Sequence, residues 1–456
     1  MKKTIYILVL LSVFCLSSTT IAQPLAGGRA FSLAVCDNYT AWSCGYNPHG
    51  QLGNGTNTES NIPVMVVSLT GVTSVACGDR HSLGLQNTGT VWAWGDNGNG
   101  ALGNGTTISS NVPVAVSFLT GITAIAGGRY HSLALKNDGT VWAWGFNGEG
   151  ALGNGTNINS NVPVPVSALT GIIAIAAGTN FSLALKDDGT VWAWGNNEEG
   201  ELGNGTNISS NVPVPVSSLT GIIAIACGYF HSIALKDDGN AWTWGFNNTG
   251  QLGTGNTTNS NIPVAVTNLT GITAVAGGRN HTLAVKDDGT AWSWGGNIAG
   301  QLGNGTNIDS RVPVQVNLLT DITFIAAGED HSLARRMDGT AWGWGSNGNG
   351  ELGIGTNTDT DIPVQITGLC PLLFVDDIPG QQVASVFPNP SDGRFTLTLS
   401  AEKGSVDIYN MLGKKVYHAE IRSQVSDIDL SGQPKGVYFI IIHAGPSMQT
   451  EKIVLR

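Results

Sequence analysis

The sequence predicts an all-β chain of 456 residues: a seven-bladed β-propeller of four-stranded blades, followed by a small C-terminal β-sandwich. Three observations predict it. A motif built on VWAWG, a glycine-rich turn and LGNGT returns every 50 residues, fullest at Val91–Thr106, Val141–Thr156 and Val191–Thr206. A fixed period of that size marks stacked supersecondary units. Each unit divides into four short apolar stretches separated by turn residues, and the period stops after residue 375, where strands of another pattern begin.

Taking the chain in order, Lys2 and Lys3 precede an apolar run, Ile5–Leu16, and small polar residues lead to Ala22-Gln23. That is the layout of a secretory signal peptide, residues 1–23; a membrane anchor needs a longer apolar span, on the order of 20 residues. No later apolar run approaches that length, so the mature chain is expected to have no transmembrane segment. Residues 24–375 are assigned to the propeller, 376–384 to a linker and 385–456 to the sandwich.

In the third unit the four stretches are Ile122–Ala126, Ser132–Leu135, Val141–Trp144 and Val162–Val166. An Asp-Gly hairpin signal separates the second from the third. Pro163 marks the fourth as an edge strand, since proline cannot serve a ladder on both sides. All 13 tryptophans lie in the third stretch: pairs at 92/94, 142/144, 192/194, 242/244, 292/294 and 342/344, with Trp42 and Cys44 in the first copy. Alternation puts Trp142 and Trp144 on one side and Ala143 on the other. Leu133 and Leu135 similarly oppose Ala134. The expectation is a bulky face nesting on a small face of the next blade, with the indoles structural. The first unit shows no long inner stretch, so Thr367–Val375, which resembles the LTGITAIA that opens other units, is expected to supply that strand and close the ring.

The body is acidic. Residues 24–375 carry 11 Lys+Arg against 23 Asp+Glu, and residues 376–456 carry 8 against 9. No basic run is present to displace counterions from a phosphate backbone, so nucleic acid is excluded as a partner. Glycines spell GxGxxG at Gly98, Gly100 and Gly103, but a strand follows where a dinucleotide site needs a helix. The recurrent Asn-Gly-Thr, as at Asn104–Thr106, reads as turn chemistry rather than a glycosylation site. Cys36, Cys44, Cys77, Cys227 and Cys370 remain after the signal, too irregular for a disulfide framework. A bridge from Cys370 to Cys36 or Cys44 requires the chain ends to meet. Cys44 is expected to face the core, and Cys77 and Cys227 to be small buried residues.

The repeat resembles the regulator of chromosome condensation repeat family. The matching features are WGxNxxGxLGNGT, a Pro-Val strand and AxGxxHSLALxxDG, as in Trp144–Gly189, where Phe181 takes the histidine position. The resemblance implies a seven-bladed propeller. The nuclear exchange activity of the family's namesake is not carried over, because a signal peptide removes the chain from any small GTPase. The tail resembles the C-terminal sorting domain of the type IX secretion system, through Val386–Leu399, Tyr409–Val416, Leu430–Ile440 and Lys452–Arg456. Pro388, Asn389, Pro390, Gly393, Gly413, Gly436, Tyr438 and Lys452 carry the sorting pattern. That resemblance implies the outer-membrane secretion machinery as a partner and a protein that is secreted or attached to the outer-membrane surface.

Binding is expected where the copies diverge, in the loops joining the first strand to the second and the third to the fourth, which emerge on one face. Arg80, Arg129, Tyr130, Phe146, Tyr229, Phe230, Phe246 and Arg279 are the candidates, being hot-spot residue types on that face. The histidines at 81, 131, 231, 281 and 331 are expected to be hydrogen-bonded to the adjacent glycine-rich turn. Equivalent positions on separate blades cannot converge on one ion, so no metal is expected. No catalytic constellation and no cofactor motif is present. The expected function is a non-enzymatic protein- or glycan-binding scaffold. The alternative is an exported carbohydrate-active or other hydrolase using acids such as Glu198, Glu199 or Asp330.

Overall fold

The computed structural model describes residues 23–369, 384–387, 391–399, 404–410, 415–444 and 447–455. The signal segment expected at 1–23 and the linker therefore lie almost entirely outside the described residues. The chain divides into two compact units after Leu369.

The first unit contains seven four-stranded antiparallel sheets, each with its strands in chain order. In the third blade these are Ile122–Gly127, His131–Lys136, Val141–Gly145 and Ser160–Pro165. The innermost strand of each blade lies against those of its neighbours, and Leu25–Gly27 lies against both Val72–Cys77 and Ile322–Ala327, closing the ring. The proline-bearing strand is outermost in every blade, where a missing N–H costs no ladder.

The first blade's inner strand and the make-up of the blade faces both depart from expectation. The inner strand of the first blade is Leu25–Gly27, paired with Phe31–Val35; Thr367–Leu369 forms no strand, and 370–375 lie outside the described residues. Leu369 instead packs at the seam between the last and first blades, with Leu25, Ala34, Leu333 and Ile366. The division into a bulky and a small face also fails. Leu133 pairs with Ala143 and Ala134 with Trp142, and paired residues share a face. Each face is therefore large over one strand and small over the next. Trp144 and Ala134 pack on Leu83, Ala93 and Leu102 of the preceding blade.

Polar staples cross every seam. The Trp144 indole N–H donates to the Ala101 carbonyl at 2.8 Å, and the Ser132 hydroxyl donates to the same oxygen at 2.9 Å. At the last seam Cys44 replaces the indole, and its S–H donates to Glu351 O at 3.4 Å beside the Ser32 hydroxyl at 2.7 Å. The histidines point forward to the next blade rather than to their own turn. His131 Nε2 lies 3.0 Å from Ser182 Oγ, whose hydrogen goes to Ala151 O. The same contact joins His81 to Ser132, His231 to Thr282, His281 to Ser332 and His331 to Ser32. Because the hydroxyl hydrogen is committed, Nε2 carries the proton and Nδ1 is bare; in His131, His231, His281 and His331 it has no hydrogen-bond partner. Burial holds their pKa values down, to about 3 for His131, His231 and His281 and about 4 for His81 and His331.

The loop from third to fourth strand is organised by a fully buried asparagine that the sequence reading passed over. Asn97 Nδ2 donates to Thr106 O and Ile108 O while its Oδ1 accepts from Leu102 N–H. Asn147, Asn197, Asn247, Asn297 and Asn347 repeat this pattern of contacts. Asn104 is occupied as expected, accepting from the N–H and hydroxyl of Thr106 in an Asx turn. Cys36 is disulfide-bonded. Cys44 is a buried free thiol, while Cys77 and Cys227 are only half-buried and line the axial cavity.

The second unit is a two-sheet sandwich. One sheet orders Ala384–Phe387, Arg394–Leu399 and Val425–Asp429; the other orders Lys415–Ile421, Gly404–Asn410, Gly436–Ala444 and Ser447–Leu455. Phe395, Leu397 and Ile428 of the first sheet meet Val406, Ile408, Ile440 and Ile453 of the second in one core.

Candidate functional site

The site is built where the first-to-second-strand turns of the blades meet around the axis. Each turn contributes one residue to a ring: Arg29, Asp79, Arg129, Thr179, Tyr229, Arg279 and Glu329. Backbone hydrogen bonds tie this ring blade to blade, among them Asp79 N–H to Arg129 O, Thr179 N–H to Tyr229 O and Arg279 N–H to Glu329 O. The turn is tight because a ring side chain sits beneath it. A Cβ on Gly128 would lie 2.1 Å from His131 Cε1 and 2.7 Å from Gly178 O, so only glycine fits.

Inside the ring is an axial cavity of about 280 Å³, walled by the small residues of the inner strands. Its mouth is crossed by a side-chain bridge between the fifth and second blades. The Tyr229 hydroxyl donates to Asp79 Oδ1 at 3.2 Å, and Arg129 Nε approaches Asp79 Oδ2 to 3.7 Å. Burial, then the Asp79 and Glu329 charges, push the Tyr229 phenol well above its ordinary pKa, so it stays a donor. On the far side Glu329 takes Arg29 at 3.1 Å and Arg279 at 2.8 Å.

Beside the axis a groove of about 520 Å³ runs over the third to sixth blades, lined by Arg129, Glu149, Thr179, Asn180, Phe181, Asn196, Glu198, Glu199, Glu201, Tyr229, Phe230, Phe246, Arg279 and Asn280. Phe230 stands edge-to-face to Phe246 (6.1 Å between centroids) and Tyr229 to Phe230 (6.4 Å). Glu201 is buried under the rim, its Oε2 accepting from Glu199 N–H at 3.0 Å. Burial, reinforced by Glu199 and Glu198 against the backbone hydrogen bonds, pushes its carboxyl up to about 7.

Of the residues singled out from sequence, Arg129, Tyr229, Phe230, Phe246 and Arg279 share this groove. Tyr130 and Phe146 form a separate edge-to-face pair at 6.5 Å, with the Arg129 guanidinium 4.9 Å above the Tyr130 ring. Arg80 lines neither the groove nor the axial cavity: its Nε lies 3.9 Å from Asp79 and its Nη1 3.5 Å from His49 Nε2 on the first blade. Of the acids, Glu198 and Glu199 line the groove. Asp330 does not: it accepts from Gln301 Nε2 on the neighbouring loop. Glu201 was missed, because its column holds Gln or Ala in five of the other six copies and Glu351 in the remaining one, and only the fold shows it buried. Among the described residues no three His, Cys, Asp or Glu side chains form a group that could hold a metal ion.

In the tail, Pro388, Asn389, Pro390 and Gly413 lie outside the described residues. Gly393 sits at a φ of 105°, with its carbonyl accepting from Leu430 N–H at 2.7 Å. Gly436 opens the strand that pairs with Leu455. The Tyr438 hydroxyl donates to Pro434 O at 2.7 Å. Lys452 pairs with Phe439 in the backbone ladder.

Comparison with known proteins agrees with this architecture. The model of the RCC1-like domain matches residues 71–386, that of the regulator of chromosome condensation (RCC1) repeat residues 40–85, and that of the secretion system C-terminal sorting domain residues 385–456. The serine/threonine-protein kinase Nek8 of Danio rerio is 42% identical over 52 residues, which is 11% of this chain and only 8% of that protein. The crystal structure of human WBSCR16 is similar with a TM-score of 0.62 and 27% identity, over 68% of this chain and 86% of that one. Yeast RCC1 (Prp20), solved bound to Kap60, gives 0.66 at 23% identity, over 85% and 94%. The sorting domain implies secretion or surface attachment and contact with the outer-membrane secretion machinery. The chain belongs to the RCC1-like domain family, with a secretion-system sorting domain at its C-terminal end.

Proposed function

We propose that the protein is a secreted or surface-attached binding scaffold, without enzymatic activity, whose ligand is an extracellular protein or glycan seated in the groove over the third to sixth blades. The observation that carries this reading is the groove itself: 520 Å³, with Tyr229, Phe230 and Phe246 in its wall, on the face where the repeats diverge. Tyr229 spends its hydroxyl on the bridge to Asp79, but the glycine turns and buried asparagines that hold each blade make no use of the Phe230 and Phe246 rings. Rigid aromatic surface of this kind supplies contact area at low entropic cost. Protein and glycan arrays probed with the mature chain test it. A ligand retained by the wild type and lost by Phe246→Ala, at unchanged melting temperature, is the expected result. Retention by the variant counts against the groove.

A second reading, an exported polysaccharide hydrolase, draws on Glu201, whose carboxyl is held near neutrality as a general acid requires. Turnover of a bound glycan that disappears in Glu201→Gln, with binding kept, would select it.

A further inference from the structure

We propose that the groove takes a cationic ligand: the ammonium or guanidinium side chains of a basic segment of an extracellular partner protein. The inference rests on the groove reading above and adds the chemistry of what fills it.

Three independent features of the lining agree. First, the charges do not balance. Four carboxylates line the groove (Glu149, Glu198, Glu199 and Glu201) against two cations, Arg129 and Arg279. Both cations are already engaged, Arg129 with Asp79 and the Tyr130 ring, Arg279 with Glu329. Among the described residues the carboxylates of Glu149 and Glu198 have neither a hydrogen bond nor an ion pair. Covering them with a neutral sugar would strip their water without supplying a counter-charge, and an anionic ligand would be repelled.

Second, both unused polar atoms beneath the groove can accept a hydrogen bond: an amide oxygen, which can only accept, and a hydroxyl, which can accept as well as donate. Asn180 Oδ1 and Thr179 Oγ1 are buried without a hydrogen-bond partner, and Thr179 is only 4% exposed. A buried carbonyl oxygen lacking a donor costs free energy until an N–H reaches it. Ammonium and guanidinium groups carry donors only. Third, Tyr229, Phe230 and Phe246 present ring surface, which attracts cations through the ring quadrupole.

Glu201 then couples binding to pH. The charged and titratable groups around it are Glu198 and Glu199 on its own loop, and Glu149, Arg129, Tyr229 and Arg279 on neighbouring blades. Its carboxyl is half-protonated near neutrality, so a bound cation must expel that proton below about pH 7. Affinity therefore falls with acidification, by about tenfold between pH 8 and pH 6.

The test is calorimetric titration of the mature full-length chain with hexalysine, hexaglutamate and neutral cellohexaose. Hexalysine is expected to saturate one site that hexaglutamate does not occupy. Combining Glu149→Gln with Glu198→Gln should weaken it about tenfold or more. Combining Asp188→Asn with Asp238→Asn, in turns on the opposite face, should change it less than about twofold. The loss of affinity from pH 8 to pH 6 should disappear in Glu201→Gln. Hexalysine bound no more tightly than hexaglutamate, or weakened equally by both double variants, overturns the cation assignment. Cellohexaose captured in its place and lost in Phe246→Ala would overturn that assignment while leaving the groove reading standing. Silence from all three probes and from the arrays would sink both.

Discussion

At the scale of single residues, the histidines are the most informative side chains. Each is locked neutral by a hydroxyl whose hydrogen is already donated to a carbonyl, so protonating Nδ1 would place an unpaired charge in the seam. The phenylalanines at 31 and 181 fill the same seat, equally buried. His131→Phe should therefore be nearly neutral for stability at pH 7.5, trading one hydrogen bond of about 1 kcal/mol for apolar burial. At pH 5 it should stabilise. The folded pKa of His131, about 3, lies below its unfolded value of 6.5, so the wild type loses stability as pH falls through that window. At pH 5 that penalty is about 2 kcal/mol. Urea unfolding of the two proteins at both pH values checks it; equal stability at pH 5 would show that the histidine titrates freely. The sequence disclosed this column as structural, through its phenylalanine replacements, but not its partner. Ser182 lies 51 positions away, and no local pattern connects the two.

At the scale of the element, blade packing depends on strand register, which alternation alone does not supply. The period-2 pattern within Val141–Trp144 correctly separated indoles from Ala143. Which residues of the neighbouring strand share the indole face follows only from the pairing of Ala134 with Trp142. The resulting socket for Trp144 is complete: Leu83, Ala93 and Leu102 on one side, and Ala101 O for its N–H. Trp144→Ala should cost about 3–5 kcal/mol, read from the denaturation midpoint. Gly103, at a φ of 64°, would put a Cβ 2.8 Å from the Trp144 ring, so Gly103→Ala should damage the same seam. The last seam is built differently, with Cys44 and Leu369 where an indole stands elsewhere. Leu369→Ala should cost about 1–2 kcal/mol, less than a fully buried leucine because Leu369 is only partly buried. A melting temperature unchanged by that substitution would mean that the first and last blades close without it. The missing strand was misassigned from sequence because three residues, Leu25–Gly27, are too few to show periodicity.

At the scale of the molecule, the ring and the tail were both legible, the first from its period and the second from a terminal pattern, whereas the groove required coordinates. Phe230 and Phe246 stand on the fifth blade, Arg129 on the third and Arg279 on the sixth, and only the circular arrangement brings them to one groove. The sum of the seams gives the whole propeller a pH profile. Between about pH 6.5 and 4 the unfolded chain takes up five histidine protons that the native ring refuses. Glu201, Glu329, Asp330 and Glu351 act in the opposite sense, since burial raises their carboxyl pKa values in the native state. The five histidines outnumber the four acids, so near pH 5 unfolding takes up protons on balance and stability falls as the pH falls. A urea midpoint that stays flat from pH 7 to pH 5 would contradict this. The tail makes a separate whole-molecule prediction. Its core joins both of its own sheets, and its family match spans all of residues 385–456; a module closed on itself can be transplanted. A reporter carrying residues 1–23 at its start and 385–456 at its end should therefore appear outside cells that possess the secretion machinery. The same reporter without 385–456 should remain in the periplasm. Equal distribution of the two would show that the address lies elsewhere in the chain.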